Sequence, residues 1–329
     1  MVDVLITSRS FGEFATAGSG ILARARLSAY RPGPDERPLT EERLRDLVSR
    51  SEPRAIVTGT DPITSAVLAA SDRLCLVVKH GVGVDNIDVA AATNRGILVA
   101  NAPNTNTQTV ADLTVGMILA LLRGIVRSVY SARTGGWERV VGHEVASQTV
   151  GVIGTGRIGA EVIKRLVPFG PQILGHDVAP NRRLVGEYGL AYVSLEKLLE
   201  RSDVITLHVP LLPQTRCLIG RPQLALMKDH VMLVNVARGA LVDEAALADF
   251  LRSHPRAAAA VDVFDVEPPQ SSPLLKLENV LPTTHIGGYT YEAMERMDRL
   301  CAEAVVAAID GKPVPNLLNP HAGRERPTR

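Results

Sequence analysis

Residues 150–159 read Val-Gly-Val-Ile-Gly-Thr-Gly-Arg-Ile-Gly, and this decad decides the fold class. Its first four residues continue from Thr149 as a short apolar run, the pattern of a buried strand. Gly154, Gly156 and Gly159 then stand at G-x-G-x-x-G spacing and open "RIGAEVIKRL", which has a helical period. A strand that turns through glycines into a helix brings backbone N–H groups and the helix's positive end up to an anion. With this spacing the anion is the pyrophosphate of a dinucleotide. Asp177 closes the next apolar run, "QILGHD", at the offset where an acid accepts bonds from a ribose 2′-OH and repels a 2′-phosphate. The preference is therefore NAD, with Arg182 and Arg183 keeping NADP as the alternative. A tight surface turn would also use glycines; strand, helix and acid together favour the cradle.

Further apolar runs follow this one: "DVITLHV", "VMLVNVA", "AAAAVDVF" and "NVLPTTH" read as strands. Helices are predicted near 157–168, 194–201, 221–228 and 243–253, the last capped by Asp243. An earlier series, "VDVLIT", "AIVTG", "CLVVKH" and "GILVANA", alternates with helical patterns such as 40–50, where Thr40 caps and Leu44, Leu47 and Val48 share a face. Such alternation predicts parallel sheets covered by helices on both faces, so the fold class is α/β. Between the two series, 105–134 reads as one long apolar helix broken at "TGGWER", and a last helix spans about 289–310. A basic tail, "AGRERPTR", is expected to fray.

The chain's 329 residues are too many for one typical core and fit two domains. With 46% hydrophobic and 22% charged residues and a net charge of +1, nothing argues for nucleic acid or an acidic membrane. Cys75, Cys217 and Cys301 are too scattered for disulfides or a metal site, so they read as small buried residues in a reducing compartment. The N-terminus reads as a strand, and no apolar run approaches the roughly 20 residues of a membrane span. The cytoplasm is the expected location, and no metal is expected.

A rival glycine loop, "VVKHGVGVDN" (77–86), lacks a third glycine at the required offset and is not the dinucleotide cradle. Three polar residues stand instead at strand ends of the second series, where open α/β sheets place ligands: Arg238 in "NVARGALVDE", Glu267 in "VDVFDVEPP" and His285 in "LPTTHIGG". Hydride chemistry at a carbinol carbon needs a cation for a carboxylate, a group to move the hydroxyl proton, and a partner for that group. Arg supplies the fork, His the proton carrier, and Glu the partner that fixes the imidazole tautomer. Each alone would read as a solvated turn, a surface loop or a loop cap. Behind a dinucleotide cradle the three read as one catalytic set.

These stretches together with "HVPLLPQT" resemble the D-isomer-specific 2-hydroxyacid dehydrogenase family, from about Ile56 to Asn319. "KHGVGVDNIDVAAATNRGILVANAPNTNT" and "GGWER" bring the resemblance close to the D-3-phosphoglycerate dehydrogenase branch. It implies two doubly wound parallel-sheet domains with a cleft between them. One is a discontinuous, flavodoxin-like substrate domain (1–104 and 289–329); the other is a Rossmann NAD-binding domain with a dimerisation arm (105–288). It implies that Arg238 binds the substrate's carboxylate and carbonyl oxygens, that His285 moves the proton at the C2 oxygen, and that Glu267 pairs with it. Asp262 matches the acid that holds the nicotinamide amide, and Arg157, Ile158, Val209, Val236 and Gly288 match positions lining the cofactor. The resemblance also implies that backbone amides of Val82 and Gly83 take the substrate carboxylate. Lys79 stands where the branch shows an Arg for phosphate, and reads either as an anion ligand or as a solvated loop cation.

The expected function is NAD-dependent hydride transfer at C2 of a D-2-hydroxy or 2-oxo acid, with 3-phosphoglycerate-like or phosphonate-bearing acids among the candidates. A homodimer is expected. Asp112 stands where close relatives in that branch usually have Glu, and control through an appended regulatory domain of the phosphoglycerate type is not expected. An NAD-sensing corepressor of the same fold is the alternative reading.

Overall fold

The structure, a computed structural model, describes residues 1–322, so the basic tail expected beyond Ala322 lies outside the described residues. The chain divides into two units: Met1–Asn106 with Gly288–Arg329, and Thr107–Gly287.

The first unit runs β1 (Val4–Ile6), α1 (Ala17–Arg24), β2 (Ala29–Tyr30), α2 (Glu41–Ser51), β3 (Ala55–Thr58), α3 (Ser65–Leu68), β4 (Leu76–Lys79), α4 (Val89–Asn94) and β5 (Leu98–Ala100). Its five strands are all parallel in the order β2-β1-β3-β4-β5, the flavodoxin-like order. Alternation along each strand divides the core. Leu5, Ile56 and Val77 pack with Leu44, Leu47 and Val48 of α2 on one face. Val4, Val57 and Val78 pack on the other, with Met294, Met297 and Val305 from the returning C-terminal helix. Thr40 caps α2 as expected, accepting from Arg43 N at 3.4 Å.

The second unit runs α5 (Thr107–Leu122), α6 (Ile125–Arg133), β6 (Thr149–Ile153), α7 (Arg157–Leu166), β7 (Gln172–His176), α8 (Arg182–Tyr188), β8 (Ala191–Tyr192) and α9 (Leu195–Arg201). It continues through β9 (Val204–Leu207), α10 (Arg221–Leu224), β10 (Met232–Asn235), α11 (Glu244–Ser253), β11 (Ala258–Val261) and β12 (Val280–Pro282). Helix α12 (Tyr291–Ile309) then belongs to the first unit. Seven parallel strands lie in the order β12-β11-β10-β9-β6-β7-β8, which reverses direction at β6/β9. That reversal is the switch point at which doubly wound sheets bind ligands.

The structure corrects the single helix expected over 105–134. It is two helices, α5 and α6, bent by 66° at Arg123–Gly124. Gly124 adopts φ +58, a conformation that ends an α-helix, and His143 N takes the Leu122 carbonyl that would have continued it. No single helix among the described residues is long and apolar enough to cross a membrane. The helix expected over 221–228 is one turn, α10, and Cys217 is exposed at φ +51 rather than buried. The two-residue edge strands β2 and β8 were not predicted, because two residues carry no period.

Candidate active site

In the second unit the three glycines after β6 do different things. Gly154 sits at φ +89, and a Cβ there would lie 2.7 Å from the carbonyl carbon and oxygen of His208 on the neighbouring strand end. Gly159 lets α7 pack onto the turn, since its Cβ would lie 2.0 Å from the Gly154 oxygen. Gly156 is the residue before α7 and faces open space, with nothing within 4 Å of its Cβ position. The result is a turn at the switch point, closed behind and open in front, that fits a pyrophosphate on the N-terminus of α7, where Arg157 and Ile158 form the first turn. Val209, just past β9, closes on Gly154, and Val236 is buried just past β10.

Asp177 follows β7. Burial would raise its carboxyl, but donors from Ala179 N (2.9 Å), Thr155 N (2.6 Å) and the Thr155 hydroxyl (3.1 Å) hold it below the usual range. An ionised acid thus braces the glycine turn. His208, which the sequence reading passed over, follows β9 beside the turn. Burial pushes its imidazole down to about 3, and Nε2 pairs with Thr206 Oγ1 at 2.9 Å. A neutral side chain therefore abuts the cradle. Its signal in the sequence was only its position after a strand at the switch point.

Arg238, Glu267 and His285 come together in this unit. Gly239 crosses the backbone of Phe264–Asp265 so closely that its Cβ would lie 1.9 Å from the Phe264 carbonyl carbon. That crossing brings Arg238, after β10, to the loop that carries Glu267. Asn235 fixes the Arg238 backbone, its Nδ2 donating to the Arg238 carbonyl at 2.8 Å. Glu267 Oε2 lies 2.7 Å from His285 Nδ1, and Oε1 accepts from Phe264 N at 3.1 Å. Burial would raise the Glu267 carboxyl, but the His285 bond and charge, the Phe264 amide and the Arg238 charge hold it lower than usual. An ionised Glu267 must accept, so Nδ1 carries the proton and Nε2 is the atom left for a substrate oxygen.

His285 itself is held at φ +56, with its N–H bonded to the Asp262 carbonyl at 2.9 Å. Asp262 is fully buried, and its carboxylate accepts from Thr283 Oγ1 (2.6 Å), Ile286 N (2.8 Å) and Gly287 N (2.7 Å). The acid that the resemblance gave to the nicotinamide thus wraps the turn bearing the imidazole.

In the first unit, the amides of Val82 and Gly83 follow β4 and donate to no acceptor among the described residues, while Val82 is exposed. Two free N–H groups past a strand's C-terminal end suit an anion. Lys79 is not a solvated loop cation. It is buried at the end of β4, and its ammonium donates to Gly59 O at 2.5 Å and Asn86 Oδ1 at 2.7 Å. Gly288 falls in this unit beside Asn106, whose buried Oδ1 has no partner among the described residues; Asn106 carried no signal in the sequence reading.

Residues 115–287 match the family model described as D-isomer specific 2-hydroxyacid dehydrogenase, NAD binding domain. D-3-phosphoglycerate dehydrogenase of Methanocaldococcus jannaschii is 42% identical over 284 residues, covering 85% of this chain and 54% of that protein. The chain thus spans about half the length of that relative. Glyoxylate reductase of Korarchaeum cryptofilum is 42% identical over 275 residues, covering 82% of this chain and 83% of that protein. Among solved structures, D-lactate dehydrogenase from Aquifex aeolicus complexed with NAD and lactic acid aligns with TM-score 0.82 at 29% identity, over 96% of this chain and 99% of that one. With this glycine turn, this His–Glu pair and these relatives, the chain belongs to the D-isomer specific 2-hydroxyacid dehydrogenase family.

Proposed function

We propose that the protein is an NAD-dependent oxidoreductase that interconverts a D-2-hydroxy acid and its 2-oxo acid. The observation that carries this is the 2.7 Å His285–Glu267 pair, set beside Arg238 in the unit that also holds the glycine turn. The nicotinamide supplies or takes the hydride at C2. His285 Nε2 gives the proton to the C2 oxygen in reduction and removes it in oxidation. Glu267 stabilises the imidazolium that exists on one side of that transfer. Arg238 orients the carboxylate and carbonyl oxygens with its planar fork, and the amides of Val82 and Gly83 donate to the carboxylate. The corepressor alternative is not favoured, because relatives matched over four-fifths of this chain bear the names of dehydrogenases and a reductase.

The test is nicotinamide absorbance over a panel of 2-oxo acids, phosphorylated and phosphonate acids included, with NADH and NADPH in parallel. Turnover of at least one acid supports the reading; no absorbance change with any of them overturns it. Lys79 is the residue on which the doubly anionic candidates rest. Its ammonium donates to Gly59 O and Asn86 Oδ1, both neutral acceptors, so its positive charge is not cancelled by these bonds.

Asp177→Asn removes the charge that repels a 2′-phosphate. Discrimination between NADH and NADPH should fall by about tenfold, read as the ratio of kcat/KM values. An unchanged ratio would remove Asp177 from cofactor selection.

A homodimer and a cytoplasmic location belong to the same proposal. Helix α6 buries none of its residues, and Trp137 (84%) and Val141 (94%) beside it are exposed, which favours a covering partner copy. A monomer by sedimentation would overturn the dimer.

Glu267 also gives a pH signature. Its folded carboxyl titrates lower than the ordinary 4.5, so the stability it adds is present above that value and is lost as pH falls through the lower folded one. The melting-temperature gap between the wild type and Glu267→Gln should be full near neutrality and shrink below about pH 4.5. A gap that is constant across that range would show that the pair adds no titrating stability.

A further inference from the structure

We propose that Asn101 and the buried His80–Asp298 pair are positioning residues that hold the Val82 and Gly83 amides in place for the substrate carboxylate. The inference rests on the reading of those amides given under Proposed function, and it concerns how the chain keeps them aimed.

Two carbonyls on the loop are tied from one side. Ala102 N donates to Gly81 O at 2.9 Å, and Asn101 Nδ2 donates to Val82 O at 2.7 Å. In a trans peptide the carbonyl and the following N–H point in opposite directions. Tying Gly81 O therefore turns the Val82 N–H away from residues 101–102, and tying Val82 O does the same for the Gly83 N–H. Asn101 is itself placed by the segment after α12, where Asn316 O accepts from Asn101 N at 3.4 Å and Leu317 bridges Ala100.

The other end of the loop is locked from behind. His80 N donates to Thr58 O at 2.8 Å. Its ring Nδ1 lies 3.1 Å from Ser10 Oγ, and Nε2 lies 2.7 Å from Asp298 Oδ1 on α12. Both side chains of the His80–Asp298 pair are 0% exposed. Asp298 Oδ2 accepts from Gly12 N at 2.9 Å, and the Phe11 ring meets the imidazole edge-on at 5.7 Å. Along the chain only Gly81, at φ +156, separates this fixed residue from the two free amides, so His80 anchors the start of the loop that carries them. A staple that merely joined α12 to the sheet would not need to sit one residue from the free amides.

The experiment measures steady-state reduction of the best acid in the panel at saturating NADH, together with melting temperature, for the full chain and three variants. Asn101→Ala should raise KM for the 2-oxo acid by about tenfold, the effect of one lost hydrogen bond, with kcat within about threefold and melting unchanged. Asn101→Asp cannot donate to Val82 O and adds a negative charge, so its KM should rise further. Asp298→Asn keeps an acceptor for His80 but loses the one for Gly12 N–H, and should raise KM while sparing kcat. If Asp298→Asn does not fold, the two Asn101 variants decide the matter alone. KM within about twofold of wild type in Asn101→Ala, or a fall in kcat with KM unchanged, overturns the inference. A wild type that reduces no acid in the panel sinks the proposed function itself, which is a separate outcome.

Discussion

His285→Ala is expected to lower kcat by about 10²–10⁴-fold while leaving NADH binding near that of the wild type. In the proposed reaction the imidazole is the group that meets the C2 oxygen, and its tautomer is set by the 2.7 Å bond from Nδ1 to an ionised Glu267. Removing it deletes the proton carrier and leaves Glu267 as a partly buried carboxylate without its partner. The glycine turn lies elsewhere in the unit and shares no hydrogen bond with His285, so NADH titrated by fluorescence quenching should bind with little change. Single-turnover rates would separate loss of chemistry from slow product release. A variant turning over within about threefold of wild type would remove His285 from the proton transfer.

Gly239→Ala should be nearly as damaging, although residue 239 carries no chemistry. Its added methyl would meet the Phe264 carbonyl carbon at 1.9 Å, Asp265 N at 2.2 Å and Phe264 O at 2.3 Å, all of them backbone. No side-chain rotation relieves such a contact, so the two segments must separate. Overpacking of this kind costs about 1–3 kcal/mol or more, several degrees of melting temperature for a unit of this size. The segments that part are those carrying Arg238 and Glu267. A displacement of about 1 Å at such groups lowers kcat/KM by about 100-fold. Gly156→Ala is the control for the generic cost of a methyl, since its Cβ position faces open space at φ −65. It should melt close to wild type, whereas Gly239→Ala melts lower. Equal melting of both variants and wild type would show that the 239/264 crossing is not as tight as the structure has it.

Much of the site could be read without coordinates, because its determinants are local. Glycine spacing, the apolar run before it and the helical period after it occupy about 17 consecutive residues and need no tertiary information. Arg238, Glu267 and His285 could be singled out as candidates for a similar reason: each follows an apolar run in a parallel-sheet series, and such sheets bind ligands at those strand ends. The break at Gly124 escaped because apolar content persists across it. What ends α5 is His143, 21 residues after Leu122, taking the Leu122 carbonyl.

By itself, then, the sequence determined the α/β class, the dinucleotide turn and the chemical types in the candidate catalytic set, all of which follow from patterns within a few residues. Only the tertiary structure decided what those residues touch. It placed Lys79 against Gly59 and Asn86, wrapped Asp262 around the His285 turn, and set Asn101 against Val82. A residue's type announces that it can donate or accept; which partner it meets depends on contacts between segments far apart in the chain, and no local period records them.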